Sequence, residues 1–150
     1  MIVKSENNLS TIQVYSLLNH FDTAFDLPLH DEIDFHVYSD KLSRFAQFIL
    51  AYEGNELIGF IAYYINKENK FSYIPFIAVH PSWQHHGVGH QMLTYLSTKL
   101  PVEIEQIRLQ VNIDNVNAQA FYNKEGFCTI PDTQNGKIML RKNITQNINY

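Results

Sequence analysis

The feature that most restricts the fold is an apolar segment that leads into a glycine-containing turn and an amphipathic helix. The segment FSYIPFIAV, residues 71–79, is apolar on both faces, which predicts a central strand of a sheet. Two glycines, Gly87 and Gly89, precede a helical pattern that Pro101 ends. The apolar face of this helix is formed by Val88, Met92, Leu96 and Leu100. A strand, a glycine turn and a helix are therefore expected in direct succession.

The rest of the chain predicts further strands and helices around this unit. Residues 10–44 favour helices, with a break at Pro28 and apolar positions at Ile12, Leu17, Leu18, Phe21 and Phe25. Two alternating segments, 48–52 and 57–65, flank Gly54-Asn55, a pair suited to a two-residue hairpin turn. A strand at 107–111, a helix at 115–125 closed by Gly126, and one or two last strands around Asn135-Gly136 complete the pattern. This order predicts an α/β (α+β) fold, with helices on the faces of a mixed sheet.

Pro75 lies inside the expected central strand. Proline has no N–H to donate to a neighbouring strand, so it belongs at an edge or a bulge. We therefore expect the sheet to be irregular near Pro75.

Length and composition favour one domain, over residues 1–150. The chain is 45% hydrophobic and 13% aromatic, which is enough for one substantial core. It contains no apolar segment of the length that spans a bilayer and no signal-peptide pattern. Its single cysteine, Cys128, cannot form an internal disulfide, which suits a reducing compartment. A cytoplasmic protein without a membrane partner is expected.

The net charge of -4 is unevenly distributed. Residues 5–40 contain seven acidic residues and no Lys or Arg. No cluster of basic residues is present elsewhere, so a nucleic-acid partner is not expected. The acidic segment is either a solvated surface or a region that attracts a cationic substrate.

The glycine turn has the chemistry of an anion-binding site. The first N–H groups of a helix have no partner within it, and the helix dipole places partial positive charge there. Glycines at 87 and 89 remove side chains that would hold a phosphate away from that backbone. No Lys-Ser/Thr follows the second glycine, and no third glycine completes a dinucleotide-binding pattern. Both of those phosphate-binding loops are thus excluded.

Two segments together resemble one known family. The turn Gln84-His85-His86-Gly87-Val88-Gly89 is similar to the Gln/Arg-x-x-Gly-x-Gly/Ala turn with which Gcn5-related N-acetyltransferases (GNAT) bind the pyrophosphate of acetyl-coenzyme A. AVHP, residues 78–81, resembles the end of the family's preceding strand. NVNAQAFYNKEGF, residues 115–127, resembles its helix carrying an Asn and a Tyr. The specific resemblance covers about residues 71–127.

The resemblance implies a mostly antiparallel central sheet of six to seven strands with a splayed central pair, flanked by about four helices. It implies that an amine attacks the thioester of acetyl-coenzyme A directly, with the backbone N–H of Val79 or its neighbours at the thioester carbonyl. It also implies that Tyr122 faces the departing sulfur as a catalytic hydrogen-bond donor. The implied coenzyme-binding residues are Ile77, Ala78, Val79, Gln84, His85, His86, Gly87, Val88, Gly89, His90, Asn115, Tyr122 and Lys124.

Several of these residues have an alternative role. Tyr122 can be ordinary packing on a helical face, and Asn115 at a helix start can be a cap. Lys124 can bind a coenzyme phosphate or be solvated.

The histidines stand where the family commonly has basic residues, so we expect affinity for the coenzyme to strengthen as pH falls toward about 6. A zinc site formed by His80, His85, His86 and His90 is the rival interpretation. No carboxylate or Cys supports it, so no metal is expected.

The general base and the acceptor are not evident from the sequence. Residues 71–79 contain no carboxylate, so the base is a water relayed through backbone, Tyr73 or His80, or an acid of the N-terminal segment. Aromatic and acidic residues in residues 21–40 favour a small cationic or amino-sugar-like amine. The alternative function is a non-catalytic acyl-coenzyme A sensor. A homodimer through a strand edge is a further expectation.

Overall fold

The computed structural model describes residues 1–25, 29–130 and 137–144. In chain order, its helices and strands are β1 (Ile2–Glu6), α1 (Thr11–His20), α2 (Leu29–Glu32), α3 (Phe35–Phe45), β2 (Gln47–Glu53), β3 (Glu56–Asn66), β4 (Phe71–Val79), α4 (Val88–Lys99), β5 (Gln106–Asn112), α5 (Val116–Lys124), β6 (Cys128–Ile130) and β7 (Lys137–Asn143). Two single-turn 3-10 helices lie at Asp22–Ala24 and Pro81–Trp83.

The seven strands form one mixed sheet in the order β1-β2-β3-β4-β5-β7-β6. Pairing is antiparallel between β1 and β2, β2 and β3, β5 and β7, and β6 and β7, and parallel between β4 and β5. Four helices of nine or more residues and the single-turn α2 accompany the sheet in the described part of the chain. The predicted fold class is therefore confirmed.

The chain divides into two compact units. The first comprises Met1–Tyr64 and Phe76–Lys99, and the second comprises Ile65–Pro75 and Leu100–Tyr150. That residues 1–150 form one domain stays a prediction.

The N-terminal helices of the first unit begin at side-chain caps. Ser10 and Gln13 form a reciprocal capping box at α1, and the Asp34 carboxylate accepts hydrogen bonds from two N–H groups at the start of α3. The buried face of α1 is formed by Val14, Leu17 and Leu18. Ile12, predicted on that face, is 79% exposed because it lies about 200° around the helix from Val14. Pro28, the predicted break, lies outside the described residues.

Helices and strands of the first unit share one apolar core. Side chains of α1 and α3 bury one face of the sheet, which contributes Phe48, Leu50, Phe60, Ala62, Phe76 and Ala78. The intervening residues Ile49 and Ile61 are fully buried as well. Residues of β2 and β3 are thus buried on both faces, so their burial does not follow the predicted alternation.

The predicted hairpin is present, with Gly54 and Asn55 in the turn and Glu53 opposite Glu56. Its register shifts because Ala51 lies opposite Gly59 while Tyr52 lies opposite Leu57, which leaves Ile58 as an extra residue in β3.

β1 is a strand that the sequence pattern does not predict. Ile2–Glu6 pairs antiparallel with β2, from Ile2 opposite Tyr52 to Glu6 opposite Phe48. Ile2 is 65% exposed, and this edge strand has no buried residue. Backbone pairing rather than burial stabilises β1, and hydrophobic periodicity therefore gives no signal for it.

In the second unit, β5 pairs with β7 from Gln106 opposite Asn143 to Asn112 opposite Lys137. The parallel pairing of β4 with β5 covers three residues and ends at Tyr73 opposite Arg108, although both strands continue. The predicted irregularity near Pro75 is confirmed, because pairing ends just before the residue that lacks an N–H. The predicted turn at Asn135-Gly136 lies outside the described residues.

Candidate functional site

The glycine turn contains two residues with a left-handed backbone. His85 has φ +66° and Gly87 has φ +82°. A Cβ built on Gly87 meets no heavy atom within 4 Å. The backbone conformation, and not packing against the protein, therefore favours glycine at 87.

Helix α4 begins at Val88, directly after this turn. The N–H of Gln91 donates to the carbonyl of Gly87 at 3.0 Å, so the N–H groups of Val88 and Gly89 lie before the first intrahelical hydrogen bond. Both predicted residues thus present backbone donors at the positive end of a twelve-residue helix. This arrangement can bind a phosphate.

Gly59 in β3 permits α4 to approach the sheet. A Cβ there would lie 3.0 Å from Met92 Cε and 3.1 Å from Val88 Cγ1. Gly59 was not predicted as a site residue, although an isolated glycine inside a strand pattern is a known signal of close backbone approach. It sets the position of the first turn of α4, which carries the proposed donors.

The end of β4 directs its N–H groups to alternate sides. The His80 N–H donates to the Ile58 carbonyl at 2.8 Å, toward β3. Backbone groups of successive strand residues point in opposite directions, so the N–H groups of Ile77 and Val79 point away from β3 and that of Ala78 points toward it. Of the three predicted β4 residues, Ile77 and Val79 therefore have N–H groups suited to bind a ligand.

Gln84 uses its side-chain amide inside the protein. Its Nε2 donates to the Val79 carbonyl at 3.0 Å and to the Ala24 carbonyl at 3.2 Å. Any direct contact of Gln84 with a phosphate must therefore come from its backbone.

The histidines near the turn have different surroundings. The side chains of His85, His86 and His90 are exposed, and the His86 ring contacts Trp83 edge-on at 5.7 Å. His80 Nδ1 accepts the Ser82 N–H at 3.1 Å, so a neutral His80 ring carries its proton on Nε2. That ring has no second lone pair for the proton of an acceptor amine. Within the described ranges, no three His, Cys, Asp or Glu side chains form a group that could hold a metal ion.

Tyr122, Asn115 and Lys124 lie on or beside α5 of the second unit. Tyr122 is 8% exposed, and its ring lies against those of Phe121 and Phe127. Burial raises the pKa of the Tyr122 hydroxyl, so the phenol stays protonated at neutral pH. Asn115 Oδ1 accepts the Ala118 N–H at 3.1 Å, which makes Asn115 the cap of α5. Lys124 is exposed at the end of that helix.

The acidic segment of the first unit forms an open cavity of about 560 Å³. It is lined by the acids Asp31, Glu32 and Asp34 and by Tyr15 and Phe35, together with His30. The sequence indicated the acids of this region and Phe35, but not Tyr15.

One acid of this segment, Asp22, pairs with His30. Asp22 Oδ2 lies 2.6 Å from His30 Nδ1, and Asp22 Oδ1 accepts the His30 N–H at 2.8 Å. The hydrogen bond to Asp22 raises the pKa of His30 despite partial desolvation. Desolvation raises the pKa of Asp22, but the hydrogen bonds and charge of His30 outweigh it and lower that pKa.

Known proteins share this fold. The ribosomal-protein-S18-alanine N-acetyltransferase from Escherichia coli matches with a TM-score of 0.74 and 17% identity, covering 96% of this chain and 95% of that one. Aminoglycoside 6'-acetyltransferase type Ii matches with a TM-score of 0.74 and 18% identity, covering 96% and 97%. PaiA N-acetyltransferase from Thermoplasma acidophilum, solved with coenzyme A, matches with a TM-score of 0.71 and 19% identity, covering 95% and 99%. No curated protein sequence matches the chain.

The sheet with its short parallel β4–β5 pairing and the glycine turn at the start of α4 define an acetyltransferase fold. The model of the acetyltransferase (GNAT) family matches residues 12–127. The chain therefore belongs to this family, and the resemblance found in the sequence is confirmed. Acetyl-coenzyme A is the cosubstrate of the family, so the predicted cosubstrate is confirmed at that level. No helix in the described residues is long and apolar enough to cross a membrane.

Proposed function

We propose that the protein is an N-acetyltransferase that transfers the acetyl group of acetyl-coenzyme A to the amine of a small cationic acceptor. The observation that carries the proposal is the left-handed turn at Gly87, followed by the unbonded N–H groups of Val88 and Gly89 at the start of α4. These donors receive the coenzyme pyrophosphate. The exposed side chains of His85, His86 and His90 supply further donors beside it.

The thioester is bound along the end of β4. The N–H groups of Ile77 and Val79 point away from β3 and are not used in its pairing. One of them stabilises the oxyanion that forms when the acceptor nitrogen attacks the thioester carbon. The C–S bond then breaks, the coenzyme leaves as a thiolate that takes up a proton, and the amine loses one proton.

Tyr122 is the proposed donor to that thiolate. Its raised pKa makes full proton transfer less favourable than for an ordinary tyrosine, so hydrogen-bond donation to the developing charge is the role we assign. Asn115 acts as the helix cap, and Lys124 is left as a surface cation for a coenzyme phosphate.

We assign the acidic cavity the role of attracting and binding the acceptor amine. Asp31, Glu32 and Asp34 give it negative charge, and Tyr15 and Phe35 give it apolar surface. This composition suits an amine with a second positive charge and an apolar part. A carboxylate from this segment or a relayed water is the proposed base, since His80 Nδ1 already accepts a hydrogen bond.

His80 Nδ1 already accepts a hydrogen bond, and β4 contains no carboxylate, so neither offers an evident general base. This favours a second function, a sensor that binds acyl-coenzyme A without turnover. The test is release of free thiol from acetyl-coenzyme A with polyamines, amino sugars, aminoglycosides, amino acids and peptide amines, for the wild type and Tyr122→Phe. Turnover that falls in the variant supports the enzyme. No thiol release with any amine, together with a higher unfolding temperature in the presence of coenzyme A, supports the sensor. No thiol release and no change in unfolding temperature contradict both the enzyme and the sensor.

A further inference from the structure

The side chain of Gln84 hydrogen-bonds to the nearby end of β4 and to a turn that lies sixty residues away in the sequence. It belongs to the glycine turn, it is half-buried, and both hydrogen bonds of its amide nitrogen go to backbone carbonyls of the first unit. One carbonyl is that of Val79, at the end of β4, and the other is that of Ala24, sixty residues away in the chain.

The Ala24 carbonyl is the last of a short 3-10 turn. The Ala24 N–H donates to the Phe21 carbonyl at 3.0 Å, and no side chain caps the start of the turn Asp22–Ala24. A carbonyl at the end of such a turn has no acceptor role within it, so Gln84 supplies the missing donor. The first residue of the turn, Asp22, is held by its two hydrogen bonds with His30.

The Val79 carbonyl belongs to a peptide group that is held at both ends. Its oxygen accepts from Gln84, and the N–H of the same group, that of His80, donates to Ile58. A peptide group is planar, so two hydrogen bonds on opposite ends fix its orientation. The Val79 N–H is connected to this peptide group through only φ and ψ of Val79. Fixing the peptide group therefore also limits the direction of the Val79 N–H.

We infer that Gln84 is a positioning residue that couples the coenzyme-binding turn to the turn Asp22–Ala24. Coenzyme bound at the start of α4 stabilises the turn that carries Gln84. Through the hydrogen bond from Gln84 Nε2 to the Ala24 carbonyl, the bound coenzyme also stabilises the turn Asp22–Ala24 and the acidic segment that follows it. The inference rests on the proposed function only in that the ligand of the turn is the coenzyme. The contacts themselves exist without it.

Two substitutions separate the coupling from packing. Gln84→Met keeps the length of the side chain and removes both donors. Gln84→Arg keeps several donors, and arginine is the other residue that the family pattern allows at this position. Thermal unfolding of both variants establishes that they fold.

The test measures hydrogen exchange of the Ala24 amide by NMR, without ligand and with saturating coenzyme A. Without ligand, we expect exchange about 3- to 10-fold faster in Gln84→Met than in the wild type, as the loss of a hydrogen bond of ordinary strength requires. With coenzyme A, we expect exchange to slow in the wild type and in Gln84→Arg, and to stay unchanged in Gln84→Met at saturation.

Equal exchange in the wild type and Gln84→Met without ligand overturns the inference. So does equal slowing by coenzyme A in both proteins. If the wild type does not bind coenzyme A, the proposed function fails and the coupling to that ligand fails with it, while faster exchange in the free Gln84→Met protein still establishes that Gln84 positions the Asp22–Ala24 turn.

Discussion

Gly59 lies against Met92 so closely that an added Cβ would be 3.0 Å from Met92 Cε and 3.1 Å from its Sδ. Val88 Cγ1, on the first residue of α4, would also be only 3.1 Å away. Contacts this short must relax, and the flexible methionine gives way more easily than the valine.

Gly59→Ala should therefore lower the free energy of unfolding by about 1–3 kcal/mol and weaken coenzyme A binding. Urea denaturation and calorimetric titration measure the two effects. In Gly59→Ala/Met92→Ala the loss of stability should be smaller than the sum of the two single losses, because the methionine that collides has been removed. Additive losses would show that the contact does not limit the packing of α4.

Gly87→Ala should weaken coenzyme A binding, because a Cβ at φ +82° strains the turn that presents the helix N–H groups. The matched control is Gly54→Ala in the β2–β3 hairpin. Gly54 has φ +59°, and its Cβ likewise would meet nothing within 4 Å. Both variants should lose about 1–2 kcal/mol of stability. Only Gly87→Ala should change the Kd for coenzyme A, and an equal change in both would contradict a ligand role for the turn.

Tyr122→Phe should lower kcat by about 10- to 100-fold, the value of a hydrogen bond to a charged group, with little change in KM for acetyl-coenzyme A. Burial raises the pKa of Tyr122, so its ionisation should produce no fall in rate below about pH 10. Steady-state kinetics over pH 6–10 test both statements.

The control for Tyr122→Phe is Tyr63→Phe. Tyr63 is also buried with a raised pKa, but its hydroxyl donates to Gln47 Oε1 at 3.0 Å. The Tyr63→Phe variant should lose about 1 kcal/mol of stability and keep the kcat of the wild type. An unchanged kcat in Tyr122→Phe would show that Tyr122 only packs against its neighbours and takes no part in catalysis.

Asp22→Asn should destabilise the protein most at about pH 5. The pKa of His30 is raised above 6.5 by Asp22 and more weakly by Asp31, so its contribution is complete below pH 6.5 and is lost as pH rises through the folded-state pKa. The pKa of Asp22 is lowered below 3.8, so its contribution is present above that pH and is lost as pH falls through the lower value. Urea denaturation at pH 5 and pH 9 should show a smaller difference between variant and wild type at pH 9. A constant difference would mean that the charge of the pair does not matter.

Ser39→Ala should stabilise the protein by about 1 kcal/mol. Ser39 is fully buried on α3, and its hydroxyl has no hydrogen-bond partner among the described residues. Removing an unsatisfied hydroxyl removes its desolvation cost. On the same helix, the Ser43 hydroxyl donates to the Leu9 carbonyl at 2.8 Å, so Ser43→Ala should destabilise by about the same amount. Thermal and urea unfolding decide whether the two changes have opposite signs.

The sequence predicted the features that depend on local pattern. The hairpin around Gly54-Asn55, the strand at Phe71–Val79 and the helix that begins at Val88 all follow from spacing and turn residues. The irregularity at Pro75 follows from a missing N–H. These elements are confirmed because the residues that determine them are neighbours in the chain.

The features that the sequence did not predict depend on distant contacts. β1 is stabilised by backbone pairing with β2, the role of Gly59 depends on Met92, and the two bonds of Gln84 require a folded chain. The hydrogen bond that makes His80 an acceptor at Nδ1 is local, but residue type alone does not show which nitrogen it uses.

The chain passes between the two compact units three times, after Tyr64, after Pro75 and after Lys99. Two of these passages lie inside strands, β3 and β4, and not in loops. Neither unit is a continuous stretch of the chain, so a single cut cannot separate one from the other. Pro75 and the residues proposed to bind the thioester belong to different units, yet they lie on one uninterrupted strand, so a change in the direction of β4 at Pro75 also changes the direction of the residues after it.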